Sequence, residues 1–210
     1  MDIRLKLVQI THALLQKAGR GGSFPGELAL KMDPDFIQKF KMPEIVVLVT
    51  GTNGKTTTSN LIAESLRKAG LKVINNRRGD NLNVGIATLL ASNANSKYEV
   101  QGDAAVIEVD ELTLYRQFKN LHPTILVVNN FFRDQLDRAG EMETIIRKIQ
   151  EVTKDFTGDI ILNGDDPNTL RIQDTALKAR IHTFSVDRNE VSKDKTDEAS
   201  EGKFCPRCGK

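Results

Sequence analysis

The chain lacks the features that mark a disulfide-bonded, membrane-spanning or nucleic-acid-binding protein. It has two cysteines, both in one Cys-x-x-Cys motif at the C-terminal end, so no disulfide framework holds its fold. No apolar run approaches the roughly 18 residues that would cross a bilayer, and the N-terminal residues show no signal-peptide pattern. Its 30 basic and 28 acidic residues leave a formal net charge of +2, too small to indicate nucleic acid as the main partner. These absences predict a cytoplasmic protein with no transmembrane segment and no nucleic-acid partner.

What the chain does contain is an apolar segment that runs into a glycine loop and then a helix. Residues 45–49 are predicted to form a strand buried on both faces, because no polar residue alternates among them. Gly51 and Gly54 let the following backbone curl its N–H groups around an anion at a helix N-terminus. Lys55 would reach the β- and γ-phosphates, and the Thr56 hydroxyl would ligate Mg²⁺. This phosphate loop (residues 50–57) predicts an ATP site held by Gly51, Thr52, Asn53, Gly54, Lys55, Thr56 and Thr57.

The spacing of the loop differs from the common P-loop, which would have a glycine where Val49 stands. Gly-Thr-Asn-Gly-Lys-Thr-Thr at 51–57 instead resembles the loop of the Mur ligase family, ATP-dependent enzymes that activate a carboxylate as an acyl phosphate and couple it to an amine. The resemblance implies the middle domain of those ligases.

Further apolar segments alternate with helical patterns along the rest of the chain. Strands are predicted at 71–74, 104–111, 124–128, 159–162 and 181–186, the last at a sheet edge. Helices are predicted between them. This alternation predicts an α/β fold with a mostly parallel sheet, helices on both faces and the nucleotide at the carboxyl ends of the strands.

The residues before the first strand are predicted to form one helix and a connector. Four apolar residues recur there at helical spacing, Ile3, Leu7, Ile10 and Leu14, and Val8 and Leu15 widen the stripe. We expect this stripe to pack on the domain rather than lie on a membrane, because the polar face mixes Asp2, Gln9 and Gln16 with few bases. Residues 19–26 are predicted to be a glycine-rich connector. The predicted organisation is therefore a helix and connector at 1–40, the ATP-binding domain at 41–187 and a polar excursion at 188–210.

Carboxylates follow the apolar run at 104–107. Glu108 matches the metal-binding glutamate of Mur ligases by position, and an acid at a strand's carboxyl end is suited to hold the Mg²⁺ that bridges the β- and γ-phosphates. Lys55 and Glu108 are the candidate catalytic residues, with Thr56 and Glu108 as magnesium ligands. Asp110 and Glu111 are either water-mediated partners of the metal or charges that cap the next helix.

Within the family, several segments resemble the MurT proteins, the ATP-using subunits of lipid II isoglutaminyl synthase. The glycine-rich residues 19–26 are one such segment, and the polar loop with Asn76, Arg77 and Asn81 is another. That loop either contacts substrate or phosphate or serves only as a turn. In a third segment, Gln135 stands after Asp134 where most Mur ligases have a histidine that helps to bind a second metal. Asp134 and Gln135 join the candidate substrate contacts.

The resemblance also implies a reaction and partners for the complete protein. It would amidate the α-carboxyl of D-glutamate in lipid II, using ATP and ammonia from a GatD-type glutaminase partner, at the inner face of the membrane where lipid II is found. Two other interpretations stay open. One is another Mur-type ligase, of the folylpolyglutamate or cyanophycin synthetase kind, and the other is a non-catalytic ATP-binding module.

The C-terminal Cys205-Pro206-Arg207-Cys208-Gly209 supplies half of a zinc ribbon. A tetrahedral Zn²⁺ site needs two more ligands, which the resemblance implies lie further on in the complete protein. We therefore predict that the sequence is cut off within the ribbon. We also predict that this chain binds ATP or ADP with Mg²⁺ and does not turn over lipid II by itself.

Overall fold

The structure is a computed structural model that describes residues 2–18, 22–77, 80–131 and 139–187, with residues 139–141 as backbone only. The strands are β1 Ile45–Thr50, β2 Val73–Asn75, β3 Ala104–Glu108, β4 Ile125–Val128, β5 Asp159–Asn163 and β6 Arg180–Phe184. The helices are α1 Ile3–Lys17, α2 Phe24–Met32, α3 Lys55–Lys68, α4 Asn83–Ser92, α5 Glu111–Leu121, α6 Ala139–Thr153 and the short α7 Pro167–Leu170. Two 3₁₀ helices cover Phe36–Lys39 and Arg171–Asp174.

The six strands form one sheet in the order β2-β3-β1-β4-β5-β6, and every pairing is parallel. The predicted α/β fold with a mostly parallel sheet and helices on both faces is confirmed. Among the described residues, β6 pairs only with β5 and lies at the edge of the sheet, as predicted. β2 and β3 lie on one side of β1, and β4, β5 and β6 lie on the other, so the phosphate loop lies at the switch point of the sheet, where α/β proteins of this kind bind ligands.

The sheet separates a large buried cluster from a small one. Val46 and Leu48 of β1 face the large cluster, which also contains buried residues of α1, α2, α4, α5 and α6. Val47 and Val49 face the small cluster, to which α3 contributes Ala63. Both faces of β1 therefore contact an apolar cluster, which explains why its sequence is an unbroken apolar run.

The expectation for the first helix is wrong in its buried face. Leu5 and Val8 are the buried residues of α1. Of the stripe predicted to pack on the domain, Val8 is buried, whereas four residues are exposed: Ile3 by 79%, Leu7 by 41%, Ile10 by 55% and Leu14 by 63%. The reason lies with Gln9, whose amide turns inward and donates to the carbonyls of Ala91 and Ala94 at 2.9 and 2.8 Å. Periodicity finds an apolar stripe but cannot say which side of a helix meets its neighbour.

The connector predicted at 19–26 is wrong from Phe24 onward, because α2 begins there with Pro25 in its first turn. Gly26 lies tightly against α4, and its N–H donates to Thr88 Oγ1 at 2.8 Å. The predicted boundary at residues 40 and 41 stays a prediction. None of the helices in the described ranges is long and apolar enough to span a membrane.

Candidate functional site

The phosphate loop is shaped by two glycines and by the chain that follows β4. Gly51 and Gly54 have φ angles of 123° and 78°, which other residues rarely adopt. A Cβ on Gly51 would lie 2.9 Å from the backbone N and O of Asn130. The Thr52 N–H donates to the Asn130 carbonyl at 2.9 Å, and the Asn53 N–H donates to Asn130 Oδ1 at 2.8 Å. The first part of the loop is therefore fixed to the end of the neighbouring strand.

The second part of the loop is the N-terminus of α3. Gly54 is the N-cap residue and has no side chain to satisfy the helix, so none caps α3. The first N–H groups of a helix have no helical partner, and the helix dipole adds partial positive charge at that end. The amides of Lys55, Thr56 and Thr57 belong to this first turn. The arrangement suits an anion before any side chain is considered.

Lys55 is folded back over the loop. Its Nζ donates to the carbonyls of Gly51 and Thr52 at 2.6 and 3.2 Å and lies 3.7 Å from Glu111 Oε1. Both charged side chains are largely buried. Burial raises the pKa of Glu111 above its ordinary value, and the Lys55 ammonium partly offsets that rise. A bound phosphate would compete with these partners for the ammonium.

Glu108 lies beside Thr56 at the start of α3. Its Oε2 accepts a hydrogen bond from Thr56 Oγ1 at 2.7 Å, and its Oε1 accepts one from Asn81 Nδ2 at 3.0 Å. Only 2% of the residue is exposed. β3 pairs with β1 in parallel, so its carboxyl end lies beside the loop that leaves β1. Thr56, Asn81 and Glu108 are thus brought together from three separate segments.

Asn76 holds the backbone of Glu108 rather than its carboxylate. The Glu108 N–H donates to Asn76 Oδ1, and Asn76 Nδ2 donates to the Glu108 carbonyl, both at 2.8 Å. Asn76 Nδ2 also donates to the Asp80 carbonyl at 3.0 Å. The amide of this buried side chain is therefore engaged in fixing the end of β3.

The remaining predicted site residues have other partners or lie outside the described residues. Arg77 is exposed and pairs with Glu64 of α3. Asp110 caps α5, accepting from the N–H groups of Leu112 and Thr113. Four predicted site residues lie outside the described residues: Asp134, Gln135, Cys205 and Cys208.

A pocket of about 520 Å³ opens beside the loop on the β4 side. Its lining includes Asn53 and Gly54 of the loop, Asn129 and Asn130 after β4, and Asn163 and Phe184 at the ends of β5 and β6. Sequence reasoning did not assign Asn129, Asn130, Asn163 or Phe184 to the site. The available signal was position, since Asn129, Asn130 and Asn163 all stand where a strand ends.

A smaller pocket of about 210 Å³ lies on the β2 side. Asn76, Arg77 and Asp80 line it from the polar loop, and His12 and Gln16 line it from α1. Part of the predicted substrate loop therefore faces a polar cleft, and α1 forms another wall of that cleft.

Comparison with known proteins shows which family the sequence resembles. The family model for the Mur ligase middle domain matches residues 49–206. The MurT subunit of lipid II isoglutaminyl synthase (glutamine-hydrolyzing) from Staphylococcus aureus strain COL is 35% identical over 199 residues, which are 91% of this chain and 42% of the relative. The corresponding subunit from Streptococcus pneumoniae is also 35% identical, over 94% of this chain and 43% of the relative.

Among solved structures, MurF from Acinetobacter baumannii superimposes with a TM-score of 0.57 at 20% identity, over 77% of this chain and 34% of that one. At that identity the similarity concerns the fold. The chain spans less than half the length of the curated relatives described above.

Proposed function

The chain belongs to the Mur ligase family, and from that premise we propose that it is the ATP-binding part of an amide ligase of peptidoglycan synthesis. One observation carries the proposal. The Thr56 hydroxyl and the Glu108 carboxylate meet at 2.7 Å at the uncapped N-terminus of α3. A triphosphate bound by those helix amides would bring its metal to this pair of oxygens.

The residues present fit magnesium. A hydroxyl and a carboxylate are hard oxygen donors, and Mg²⁺ sites in such proteins use one or two protein oxygens and complete their shell with water and phosphate. When bound, Mg²⁺ would be held by Thr56 and Glu108 and would neutralise the charge that develops on the phosphates. Glu108 would replace its hydrogen bond from Thr56 with the metal, and Asn81 would keep the carboxylate oriented. Zn²⁺ stays a proposal for the complete protein, with Cys205 and Cys208 as half of its ligands.

Lys55 would bind the terminal phosphates. To do so, its ammonium must leave the carbonyls of Gly51 and Thr52, which lie at the start of the same loop. Exchange of these neutral acceptors for a phosphate is electrostatically favourable, because the phosphate carries the opposite charge to the ammonium. Catalysis then depends on the positioning of the reacting groups and on charge neutralisation by Lys55 and Glu108.

The 520 Å³ pocket is our proposed site for the nucleoside. Its volume lies in the range of small-molecule sites. Asn129, Asn130 and Asn163 offer both donors and acceptors, and Phe184 offers an aromatic face. The metal site lies on the β3 side of the loop and this pocket on the β4 side. A nucleotide lying across the loop would therefore have its terminal phosphates at Glu108 and its base near Phe184.

For the complete protein we propose amidation of the D-glutamate α-carboxyl of lipid II. A carboxylate oxygen attacks the γ-phosphorus of ATP, ADP leaves, and an acyl phosphate forms. Ammonia then attacks the acyl carbon, phosphate leaves, and the extra proton on nitrogen is lost, which gives the amide. The MurT relatives are subunits of a glutamine-hydrolyzing lipid II isoglutaminyl synthase, which supports this substrate and a GatD-type glutaminase partner. Because lipid II is found at the inner face of the membrane, this substrate also supports a location there.

Titration calorimetry tests the nucleotide site. The chain is expected to bind ATP with Mg²⁺, and Lys55→Ala is expected to weaken that binding by at least about tenfold, since a charge-assisted contact contributes about 1.5–3 kcal/mol. Leu61→Ala is the matched control, because Leu61 lies on the same helix and is exposed. Equal affinities for the protein and Lys55→Ala would remove the proposed site.

A full-length protein with its glutaminase partner tests the acceptor. We expect ATP-dependent amidation with a lipid II stem peptide and none with a folate acceptor. Product with folate alone would favour the folylpolyglutamate type of ligase. ATP binding without carboxylate-dependent phosphate release would favour a non-catalytic module.

A further inference from the structure

We propose that the exposed face of α1 docks on the surface of an anionic phospholipid membrane. This face consists of Ile3, Leu7, Ile10 and Leu14, which lie three or four residues apart and so form one stripe along the helix. All four side chains are exposed within the described ranges of the chain, Leu7 the least at 41%. A row of four large apolar side chains on one helix is an interaction surface rather than scattered exposure.

The charge of α1 decides the kind of surface it fits. The helix contains Arg4, Lys6 and Lys17 and has no acidic residue. Lys6 and Lys17 are exposed, while Arg4 pairs with Asp33 at 2.7 Å. The stripe is therefore accompanied by two exposed basic groups. Apolar residues beside exposed lysines are the pattern of helices that lie in the interface of an anionic membrane.

The polar residues of α1 that argue against a membrane are turned away from this face. Gln9 donates to the end of α4. Asp2 caps the helix by accepting from the Arg4 N–H at 2.9 Å, and it also accepts from the Tyr98 hydroxyl at 2.7 Å. The sequence analysis expected these groups on the solvent-facing side of α1, whereas in the structure they form hydrogen bonds with the rest of the domain.

A second copy of the chain fits this face less well than a lipid surface does. Two α1 stripes packed against each other would bring exposed lysines of both copies together with no acid on either helix to pair with them. Anionic headgroups supply the missing negative charge, and the acyl boundary receives the four apolar side chains.

The small polar cleft lies on the opposite side of α1 from the stripe, about one helix diameter from the proposed lipid surface. His12 and Gln16 of α1 line that cleft together with Asn76 and Arg77. Under the proposed function this loop meets a substrate carried by a lipid. The docking surface itself, however, rests on α1 alone and does not depend on nucleotide chemistry.

Vesicle co-sedimentation of the purified 210-residue chain tests the proposal without nucleotide or lipid II. We expect at least about tenfold stronger binding to phosphatidylglycerol vesicles than to phosphatidylcholine vesicles, since each lysine near an anionic surface contributes about fivefold. Raising the salt concentration is expected to weaken the binding. Removing both lysines with Lys6→Gln and Lys17→Gln should abolish the preference for the anionic lipid.

The apolar part is tested by the double variant Ile10→Gln with Leu14→Gln, which changes no charge. It is expected to bind phosphatidylglycerol vesicles at least about tenfold more weakly, because two large side chains no longer enter the interface. Leu61→Gln on α3 is the matched control, since it removes an equally exposed leucine on the other face of the sheet. Circular dichroism checks that all variants keep the fold.

Three results would overturn the proposal. One is equal binding to the two kinds of vesicle, and another is a double variant that binds as tightly as the original chain. The third is self-association of the original chain, seen by light scattering and lost in the double variant, without vesicle binding. That last result would assign the stripe to a second copy.

Discussion

The two sides of the phosphate loop differ in charge and in the space that they leave open. On the β3 side, Glu108 is buried, both carboxylate oxygens accept hydrogen bonds, and Asn76 fixes its backbone. On the β4 side, neutral asparagines and Phe184 line an open pocket. The difference indicates that the β3 side is preorganised for one small cation, whereas the β4 side has room for a larger and mostly uncharged group.

The largest expected effect comes from Glu108→Gln, which changes only the β3 side. An amide keeps the size of the side chain but removes its charge, so magnesium should no longer strengthen ATP binding. Calorimetry with and without Mg²⁺ is expected to show at least about tenfold loss of the magnesium-dependent affinity. Magnesium-free ADP binding should stay within about twofold. An equal loss for both ligands would mean that Glu108 supports the whole loop rather than the metal.

Asn76→Ala should weaken the same side indirectly. It leaves the buried Glu108 N–H and carbonyl without their partner, at a cost of about 2 kcal/mol in the free energy of unfolding. Because the end of β3 would then move, the magnesium dependence of ATP binding should fall by several-fold as well.

Asn75→Ala is the control for Asn76. Asn75 is the adjacent residue, and its side chain bonds to Arg67 and Asn60 of α3 rather than to Glu108. Urea unfolding should show lower stability for both variants, whereas only Asn76→Ala should alter the response to Mg²⁺. If the magnesium dependence of ATP binding changed equally in both variants, Asn76 would have a structural role and no specific effect on the metal site.

Phe184→Ala addresses the β4 side. Removing the ring should weaken ATP and ADP by a similar factor of about five, since a stacked base contributes about 1–3 kcal/mol to binding. The magnesium dependence should not change. Val186→Ala is the control, because Val186 is exposed just beyond β6 and does not line the pocket. Unchanged nucleotide affinity in Phe184→Ala would show that the base does not bind in this pocket.

The contrast between the sides also shows how far the sequence could predict the site. Lys55 and Thr56 could be predicted because they follow two glycines in a turn between a buried strand and a helix, and Glu108 because a carboxylate at the end of a buried strand needs a cation or a donor nearby. Asn129, Asn130 and Asn163 could not, because asparagine after a strand is equally typical of a turn.

The parallel sheet could be predicted from the alternation of strand and helix patterns, but the exposed side of α1 could not. It depends on Gln9 finding two carbonyls 82 and 85 residues away in the sequence.

The smallest expected effect is a change in the pH dependence of stability for Glu111→Gln. Burial raises the pKa of Glu111 in the folded chain, so between the unfolded and folded pKa values the folded state holds more protons. The contribution of Glu111 to stability is therefore present at acidic pH and is lost as the pH rises through the folded pKa. Glutamine has no proton to lose, so the variant should gain stability relative to the original chain across that window. Melting temperatures of the two proteins, measured in parallel from about pH 4 upward, test this. Curves that stay parallel, or that diverge in the opposite direction, would mean that the Lys55 ammonium rather than burial governs Glu111.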